Sequence, residues 1–139
     1  MIPKVLAYIT REGKHGKELL VFRHQRHPEA GVQVPGGTVE DGESLVAGLW
    51  REVEEETGLA HLTLIGQIAK APFYADWRDE WHERNVFHLQ ASSDLPDTWV
   101  HVVKAGVEDK GLHFVFCWLS LAQAEQELPW GQSQWLNLI

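Results

Sequence analysis

The chain has 139 residues, of which 44% are hydrophobic and 23% charged, as expected for one domain with a single core spanning residues 1–139. Its formal charge of −8 argues against a broad basic surface for a nucleic-acid polymer. No apolar run is long enough to span a bilayer, and the N-terminus lacks a secretory pattern. We therefore expect a cytoplasmic protein that does not contact a membrane.

The single cysteine and the tryptophans fit this interpretation. Cys117 lies in the apolar run HFVFCWLSL and has no partner for an internal disulfide, which is typical of a reducing compartment. We interpret it as a small buried apolar residue. Of the seven tryptophans, we predict that Trp50, Trp118 and Trp135 belong to the core.

The first half of the chain predicts two strands, a loop and a helix. KVLAYIT and ELLVFRH are apolar, β-branched runs separated by the glycine-containing segment REGKHGK, so they predict paired strands. HPEAGVQVPGGTVEDGE predicts a loop with a short strand inside it. Residues 44–57 predict a helix, with Ser44 or Asp41 as the cap and Gly58 as the end. Its apolar stripe consists of Leu45, Val46, Leu49, Trp50 and Val53.

The second half is dominated by predicted strands. These strands are LTLIGQIAKAPFYA, NVFHLQAS, WVHVVKA and LHFVFCWLSL. AQAEQEL predicts a short second helix. Because strands outnumber helices and the long helix must cover a face of the sheet, we predict a mixed α/β layered domain.

Glutamates crowd the C-terminal half of the predicted long helix. At about 100° per residue, Glu52, Glu55 and Glu56 lie on one flank of the apolar stripe, whereas Glu54 points away. Like charges repel at this spacing, and the C-terminal end of a helix disfavours carboxylates. A divalent cation such as Mg²⁺ or Mn²⁺ offsets this repulsion and would also allow a small phosphorylated ligand to approach. Arg51 lies one turn before Glu55, so it can pair with Glu55 and fix its orientation. The alternative is a solvated acidic face.

A longer pattern surrounds these glutamates. It reads Gly, five residues, Glu, seven residues, then Arg-Glu-aliphatic-any-Glu-Glu-any-Gly-aliphatic. The matching positions are Gly37, Glu43, Arg51, Glu52, Val53, Glu55, Glu56, Gly58 and Leu59, without a departure. On these residues the chain resembles the Nudix hydrolases. The order strand, strand, loop, helix also fits that family, whose fold is an α/β/α sandwich with a mixed β-sheet.

The resemblance implies an activity and a set of site residues. It implies hydrolysis of the diphosphate linkage in a nucleoside diphosphate joined to another group, with Mg²⁺ or Mn²⁺ and a metal-activated water that attacks phosphorus. It implies that Glu43 and Arg51 hold the loop and the glutamates in place. The implied metal ligands are the carbonyl of Gly36 and the carboxylates of Glu52, Glu55 and Glu56.

The general base and the substrate-binding residues are less defined. The candidate bases are Glu52, Glu80, Glu83 and Glu108, and each of the last three is otherwise an ordinary exposed acid. Arg23 and Arg26 precede the motif loop and are candidates for binding phosphate oxygens, with solvated arginines as the alternative.

Aromatic residues and histidines complete the candidates. We predict that PFYADWRDEWHER is a polar loop in which Phe73, Tyr74, Trp77 and Trp81 stack on a base or sugar, or seal a homodimer interface. The histidines without ligand spacing are His24, His27, His82 and His88, which we interpret as surface residues or hydrogen-bonded partners.

Three functions therefore compete at this point. The first is a metal-dependent hydrolase acting on a small nucleotide-type substrate. The second is a non-catalytic nucleotide-binding or sensing module on the same fold, which the complete set of motif carboxylates disfavours. The third is an acidic interaction surface without a metal. The motif does not identify the substrate, because it concerns only the diphosphate and the metal.

Overall fold

A seven-stranded sheet forms the centre of the computed structural model, which describes residues 1–104 and 110–139. The strands are β1 (Ile2–Gly13), β2 (Gly16–His24), β3 (Gly36–Thr38), β4 (Thr63–Ala75), β5 (Glu80–Gln90), β6 (Thr98–Val102) and β7 (His113–Ser120). The helices are α1 (Leu45–Thr57) and α2 (Leu121–Glu127), with single 3₁₀ turns at Pro28–Ala30 and Leu136–Leu138. No helix in these ranges is long and apolar enough to cross a membrane.

The strand order is β4-β5-β1-β2-β7-β6, and β3 pairs with β1. β1 runs parallel to β5 and antiparallel to β2 and β3, so the sheet is mixed, as predicted. The first two strands form a hairpin closed by Gly13 opposite Gly16. Gly16 has a φ of +113°, a conformation that a residue with a Cβ rarely adopts.

The two faces of the sheet carry separate apolar clusters. Successive residues of β1 point to opposite faces, so Ala7 joins one cluster and Tyr8 the other. On the first face, Leu49 and Val53 of α1 are fully or almost fully buried. On the second face, Ala124 of α2 is buried. The layers are therefore helix, sheet and helix, which confirms the predicted α/β/α sandwich.

The boundaries of α1 agree with the predicted caps. The Ser44 hydroxyl accepts a hydrogen bond from the backbone N–H of Ala47 at 3.1 Å, and this satisfies one donor of the first turn. Gly58 ends the helix in the left-handed conformation, with a φ of 73°, and donates to the carbonyl of Glu54 at 3.0 Å.

The prediction for the apolar stripe of α1 is partly wrong. Val46 and Trp50 are 40% and 36% exposed, although both fall within the predicted stripe. Only the central row of the stripe faces the sheet, and these two residues lie at its margin. Trp118 and Trp135 are buried, as predicted. Cys117 is only partly buried at the edge of the second cluster.

The predicted polar loop around residues 73–81 is also wrong. β4 and β5 form one long hairpin, in which Phe73 pairs with His82 and Tyr74 with Trp81. Only residues 76–79 turn between the strands. Aromatic side chains favour strands and stabilise cross-strand pairs, which outweighs the local charges in this segment. Glu80 therefore lies on a strand.

Candidate active site

The motif loop and the end of α1 meet beside the central strand. β3 holds Gly36 opposite Leu6 of β1, and this fixes the loop on the sheet. The backbone N–H of Gly36 donates to Oε1 of Glu56 at 2.8 Å. Glu56 is only 5% exposed. A nearly buried carboxylate is therefore fixed beside the glycine backbone of the motif.

Arg51 connects the acidic residues of the motif. Its Nη1 lies 2.9 Å from Oε1 of Glu52 and 3.3 Å from Oε2 of Glu55. Its Nε and Nη2 donate to the two carboxylate oxygens of Glu43 at 2.8 and 2.9 Å. Its Nη2 also donates to the carbonyl of Thr38 at 2.9 Å. A single guanidinium therefore holds three of the motif carboxylates and the motif loop.

The pKa values of the Arg51–Glu43 pair follow from these contacts. Hydrogen bonds from Arg51, supplemented by the backbone N–H of Glu40, lower the pKa of Glu43 from 4.5 to about 2. The hydrogen bonds to Glu43 in turn raise the pKa of Arg51, although burial acts in the opposite direction. Both groups are therefore charged at neutral pH.

The packing around Gly37 shows why the motif requires glycine at this position. A Cβ added to Gly37 would lie 2.2 Å from Cδ of Glu52 and 2.4 Å from both of its carboxylate oxygens. Real Cβ atoms essentially never approach a neighbour this closely. The carboxylate of Glu52 therefore occupies the space that any other residue would fill.

The donor chemistry of the motif fits a divalent cation. Carboxylates and a backbone carbonyl are the hard oxygen ligands that Mg²⁺ and Mn²⁺ prefer. Within residues 1–104 and 110–139, no group of three or more His, Cys, Asp or Glu side chains is arranged closely enough to hold a metal ion. Glu52 and Glu55 instead contact Arg51, which supplies the positive charge between them. Glu54 is exposed, as the helical geometry predicts.

A cleft opens next to Gly36, Gly37 and Glu56, with a cavity volume of about 200 Å³. Its lining includes two cationic side chains, Lys4 and Arg84, which face each other in the register of β1 and β5. The cleft is therefore acidic where the motif contributes and basic on the strands beyond it.

The segment after α2 forms part of the same cleft through Gln132. The Gln132 side chain accepts a hydrogen bond from the backbone N–H of Val34 at 2.9 Å. The backbone carbonyl of Gln132 accepts a hydrogen bond from the hydroxyl of the buried Tyr8. Burial raises the pKa of Tyr8 to about 12, so this hydroxyl keeps its proton.

Sequence reasoning missed Lys4, Arg84 and Gln132. Arg84 is detectable in principle, because it alternates with His82 and Val86 on the inward-facing side of a strand. A charged residue in such a position is unusual unless it has a function or a partner. Gln132 carries no such signal.

The other predicted site residues lie elsewhere. Arg23 and Arg26 are exposed and do not line the cleft, so their role in substrate binding stays a prediction. Oε1 of Glu80 lies 2.8 Å from Nε2 of His82, and Oε2 of Glu83 lies 3.8 Å from Nζ of Lys70.

Glu108 is the remaining candidate base, and His24, His27, His82 and His88 are the histidines without ligand spacing. Glu108 lies outside the described residues. Nε2 of His88 lies 2.7 Å from the hydroxyl of Thr10, and Nδ1 of His27 lies 3.3 Å from a carboxylate oxygen of Glu29. Hydrogen-bonded roles are thus confirmed for His27, His82 and His88, and both His24 and His82 line the cleft.

Comparison with known proteins assigns the family. The family model described as NUDIX domain matches residues 2–139, and the chain belongs to this family. No curated protein sequence gives a match. Nudix hydrolases generally use divalent metal cations.

Solved structures of the same fold come from several organisms. A C. elegans Ap4A hydrolase in a binary complex is similar with a TM-score of 0.74 and 16% identity, covering 99% of this chain and 93% of that one. The NUDIX domain of Shewanella oneidensis NrtR, complexed with ADP ribose, is similar with a TM-score of 0.69 and 19% identity, covering 99% of this chain and 84% of that one. The E. coli dihydroneopterin triphosphate pyrophosphohydrolase is similar with a TM-score of 0.72 and 20% identity, covering 99% of this chain and 93% of that one. At these identities the likeness shows a shared fold.

Proposed function

We propose that the protein hydrolyses the diphosphate linkage of a nucleoside diphosphate joined to another group, with Mg²⁺ or Mn²⁺ as the cofactor. The observation that carries this proposal is the position of Glu56. This nearly buried carboxylate is fixed by Gly36 on the wall of a cleft that also presents Lys4 and Arg84. Acidic and basic groups on one cleft suit a substrate that is anionic and arrives with cations.

The contacts of the motif residues support the roles that we propose for them. Glu52, Glu55 and Glu56, with the carbonyl of Gly36, are the proposed metal ligands. When bound, the cation neutralises phosphate charge and lowers the pKa of water. Arg51 orients Glu52 and Glu55, and Glu43 fixes Arg51.

The general base and the phosphate contacts complete the proposed roles. Glu52 and Glu108 are both candidate general bases. Lys4 and Arg84 are closer to the motif than Arg23 and Arg26, because only the first pair lines the cleft. We therefore assign the phosphate contacts of this proposal to Lys4 and Arg84.

The similar structures support a small phosphorylated substrate. Two of them are named as hydrolases, of Ap4A and of dihydroneopterin triphosphate, and the third carries ADP ribose. Dinucleoside polyphosphates, nucleotide sugars and oxidised nucleoside triphosphates belong in the same test.

A substrate panel with product identification tests the proposal. The panel is incubated separately with Mg²⁺, with Mn²⁺ and with a chelator, and the products are resolved by chromatography and mass spectrometry. We expect a nucleoside monophosphate or inorganic diphosphate from at least one substrate, only when a metal is present. Failure to turn over any substrate with either metal would overturn the proposal. Tight binding without a product would favour the sensing module instead.

A further inference from the structure

Arg84 is a nearly buried cation on the wall of the cleft. It is 6% exposed, and none of the described residues forms an ion pair with it. Burial lowers its pKa from 12.5 to about 10, an effect that Tyr8 only partly offsets. A buried charge without an opposite charge is unfavourable, and a bound anion would compensate it.

The contacts of Arg84 leave part of its guanidinium available to a ligand. Its Nη1 donates to the carbonyl of Trp130 at 2.5 Å. Among the described residues, no buried side-chain nitrogen or oxygen lacks a hydrogen-bond partner. The other guanidinium nitrogens therefore retain some contact with solvent, and Arg84 is one of the residues that line the cleft. A guanidinium edge can bind two phosphate oxygens at once.

Lys4 adds a second positive charge at this position. Lys4 and Arg84 are register partners on the parallel strands β1 and β5, and both line the cleft. Nζ of Lys4 donates a hydrogen bond to Oγ1 of Thr38 at 2.6 Å. An anion in the cleft would meet two cationic side chains and would lower the cost of burying Arg84.

Three aromatic rings, which we name the aromatic wall, adjoin Arg84. They are Phe73, Trp77 and Trp130. Cζ of Arg84 lies 3.5 Å from the centroid of Phe73. The ring centroids of Phe73 and Trp77 are 5.9 Å apart, and those of Trp77 and Trp130 are 5.6 Å apart. The wall thus joins β4, the hairpin turn and the segment after α2 into one contact with Arg84.

Exposure makes the outer rings of the wall accessible to a ligand. Trp77 is 55% exposed and Trp130 is 43% exposed, which is high for the largest aromatic residue. Tyr74 and Trp81 are similarly exposed, and their rings pack against each other in a tilted arrangement with centroids 5.2 Å apart. They lie on the opposite face of the hairpin, because side chains alternate along a strand. The aromatic wall contacts Arg84 through Phe73, and Arg84 in turn lines the cleft.

We propose that Arg84 and the aromatic wall bind the nucleoside phosphate part of the substrate, with a phosphate on Arg84 and the base stacked on Trp77 and Trp130. A diphosphate next to Arg84 would share the cleft with Gly36 and Glu56, two of the residues that would hold the cation. The inference rests on the proposed function, because it assigns a binding subsite for that substrate class. Base stacking tolerates different bases, so the wall alone does not select one.

Calorimetry with non-hydrolysable ligands tests the subsite directly. The probes are the α,β-methylene analogues of ADP and GDP, in the presence of Mg²⁺. We expect Arg84→Lys to weaken binding about tenfold or more, because a lysine cannot offer two parallel donors. We expect Trp77→Ala to weaken it by a similar factor through lost stacking. Trp81→Ala is the matched control, with equal exposure on the other face, and should bind as the wild type does.

Two smaller probes separate the phosphate and base contacts. Inorganic diphosphate should bind Arg84→Lys more weakly than the wild type and should bind Trp77→Ala normally. Adenosine should show the reverse pattern. Thermal melting of each variant establishes that it is folded. If Arg84→Lys does not fold, the affinities of Trp77→Ala and of Trp130→Ala for the methylene analogues test the subsite instead.

The results also distinguish the subsite from the proposed function. Analogue affinities unchanged in the folded Arg84→Lys and Trp77→Ala variants would overturn the subsite, even if the enzyme turns over substrate. Loss of self-association in Trp77→Ala with unchanged affinity would overturn it too, because the wall would then be an interface between copies. Affinities that depend on Arg84 and Trp77 in a protein without turnover would support the subsite while the hydrolase proposal fails.

Discussion

Arg51 contacts both carboxylate oxygens of Glu43, from Nε at 2.8 Å and from Nη2 at 2.9 Å. Glu43 precedes α1 and Arg51 lies in its middle, so the pair ties the motif loop to the helix. Because the same guanidinium contacts Glu52 and Glu55, this ion pair contributes to the orientation of both carboxylates.

Arg51→Lys should therefore reduce both stability and activity. A lysine keeps the charge but cannot form the paired contacts, and we expect a loss of about 1–3 kcal/mol in the free energy of unfolding. Misplaced glutamates should reduce kcat about 10- to 100-fold. Urea unfolding and steady-state kinetics measure the two effects. Glu54→Gln, on the exposed side of the same helix, should change stability by less than about 0.5 kcal/mol; an equal loss in both variants would contradict the prediction.

The depressed pKa of Glu43 predicts a loss of stability in acid. Its pKa is about 2 in the folded chain and 4.5 as the ordinary value, so its contribution is present above pH 4.5 and is lost as the pH falls towards 2. Between about pH 5 and about pH 3, the wild type should lose more free energy of unfolding than Glu43→Gln. Identical pH profiles in urea unfolding would show that the ion pair does not matter for folding.

The adjacent glycines of the motif should respond differently to alanine. In Gly37→Ala the new Cβ meets the end of the flexible Glu52 side chain, which can swing away. We expect a change in stability below about 1 kcal/mol and a loss of activity of about a hundredfold. In Gly36→Ala the Cβ lies 2.4 Å from the backbone carbonyl of Val5, so stability should fall by about 1–3 kcal/mol. Thermal melts and kinetics distinguish the two; equal destabilisation would contradict the interpretation.

Glu56→Gln tests the catalytic importance of the buried carboxylate. Glutamine retains an oxygen that can accept the hydrogen bond from Gly36, so the fold should persist. Loss of the negative charge should reduce kcat about a hundredfold or more. Circular dichroism checks the fold, and steady-state kinetics measure kcat. A folded variant with a near-wild-type rate would show that the charge of Glu56 is not required for catalysis.

A divalent cation should raise the melting temperature. A ligand at about 100 times its dissociation constant stabilises a protein by about 2.7 kcal/mol if it binds only the folded state. Titration of Mg²⁺ and of Mn²⁺, followed by a chelator, should give a reversible shift in the wild type. The shift should shrink in Glu52→Gln. An equal shift in both proteins would indicate that the ion binds elsewhere.

Local patterns in the sequence predict α1 and its surroundings well. Ser44 and Gly58 signal the helix ends through capping chemistry that needs no tertiary contact. The motif spacing brings Arg51 and the glutamates onto one side, since it follows the helical repeat. The prediction that Trp50 belongs to the core is wrong, because periodicity does not report how wide a stripe of the helix the neighbouring sheet covers.

The basic side of the cleft depends on pairing between distant segments. Lys4 and Arg84 become neighbours only through the parallel register of β1 and β5. Trp130 and Gln132 reach the same region from the segment after α2. No local pattern encodes these contacts, so the sequence identified the acidic half of the site and not its counterpart. The prediction of a polar loop around residues 73–81 is wrong for the same reason. The charges of this segment suggest a loop, whereas its aromatic residues lie on two strands that pair across a hairpin.

The contacts of Gln132 make the C-terminal tail part of the ligand cleft. Val34, Tyr8 and Arg84 all donate hydrogen bonds to this tail, the first two to Gln132 and the third to the carbonyl of Trp130. Proteolytic removal of the residues after Leu128, or a bulky fusion that displaces them, would thus impair substrate recognition while leaving every motif glutamate intact. An affinity tag for this protein is better placed at Met1, which is 72% exposed.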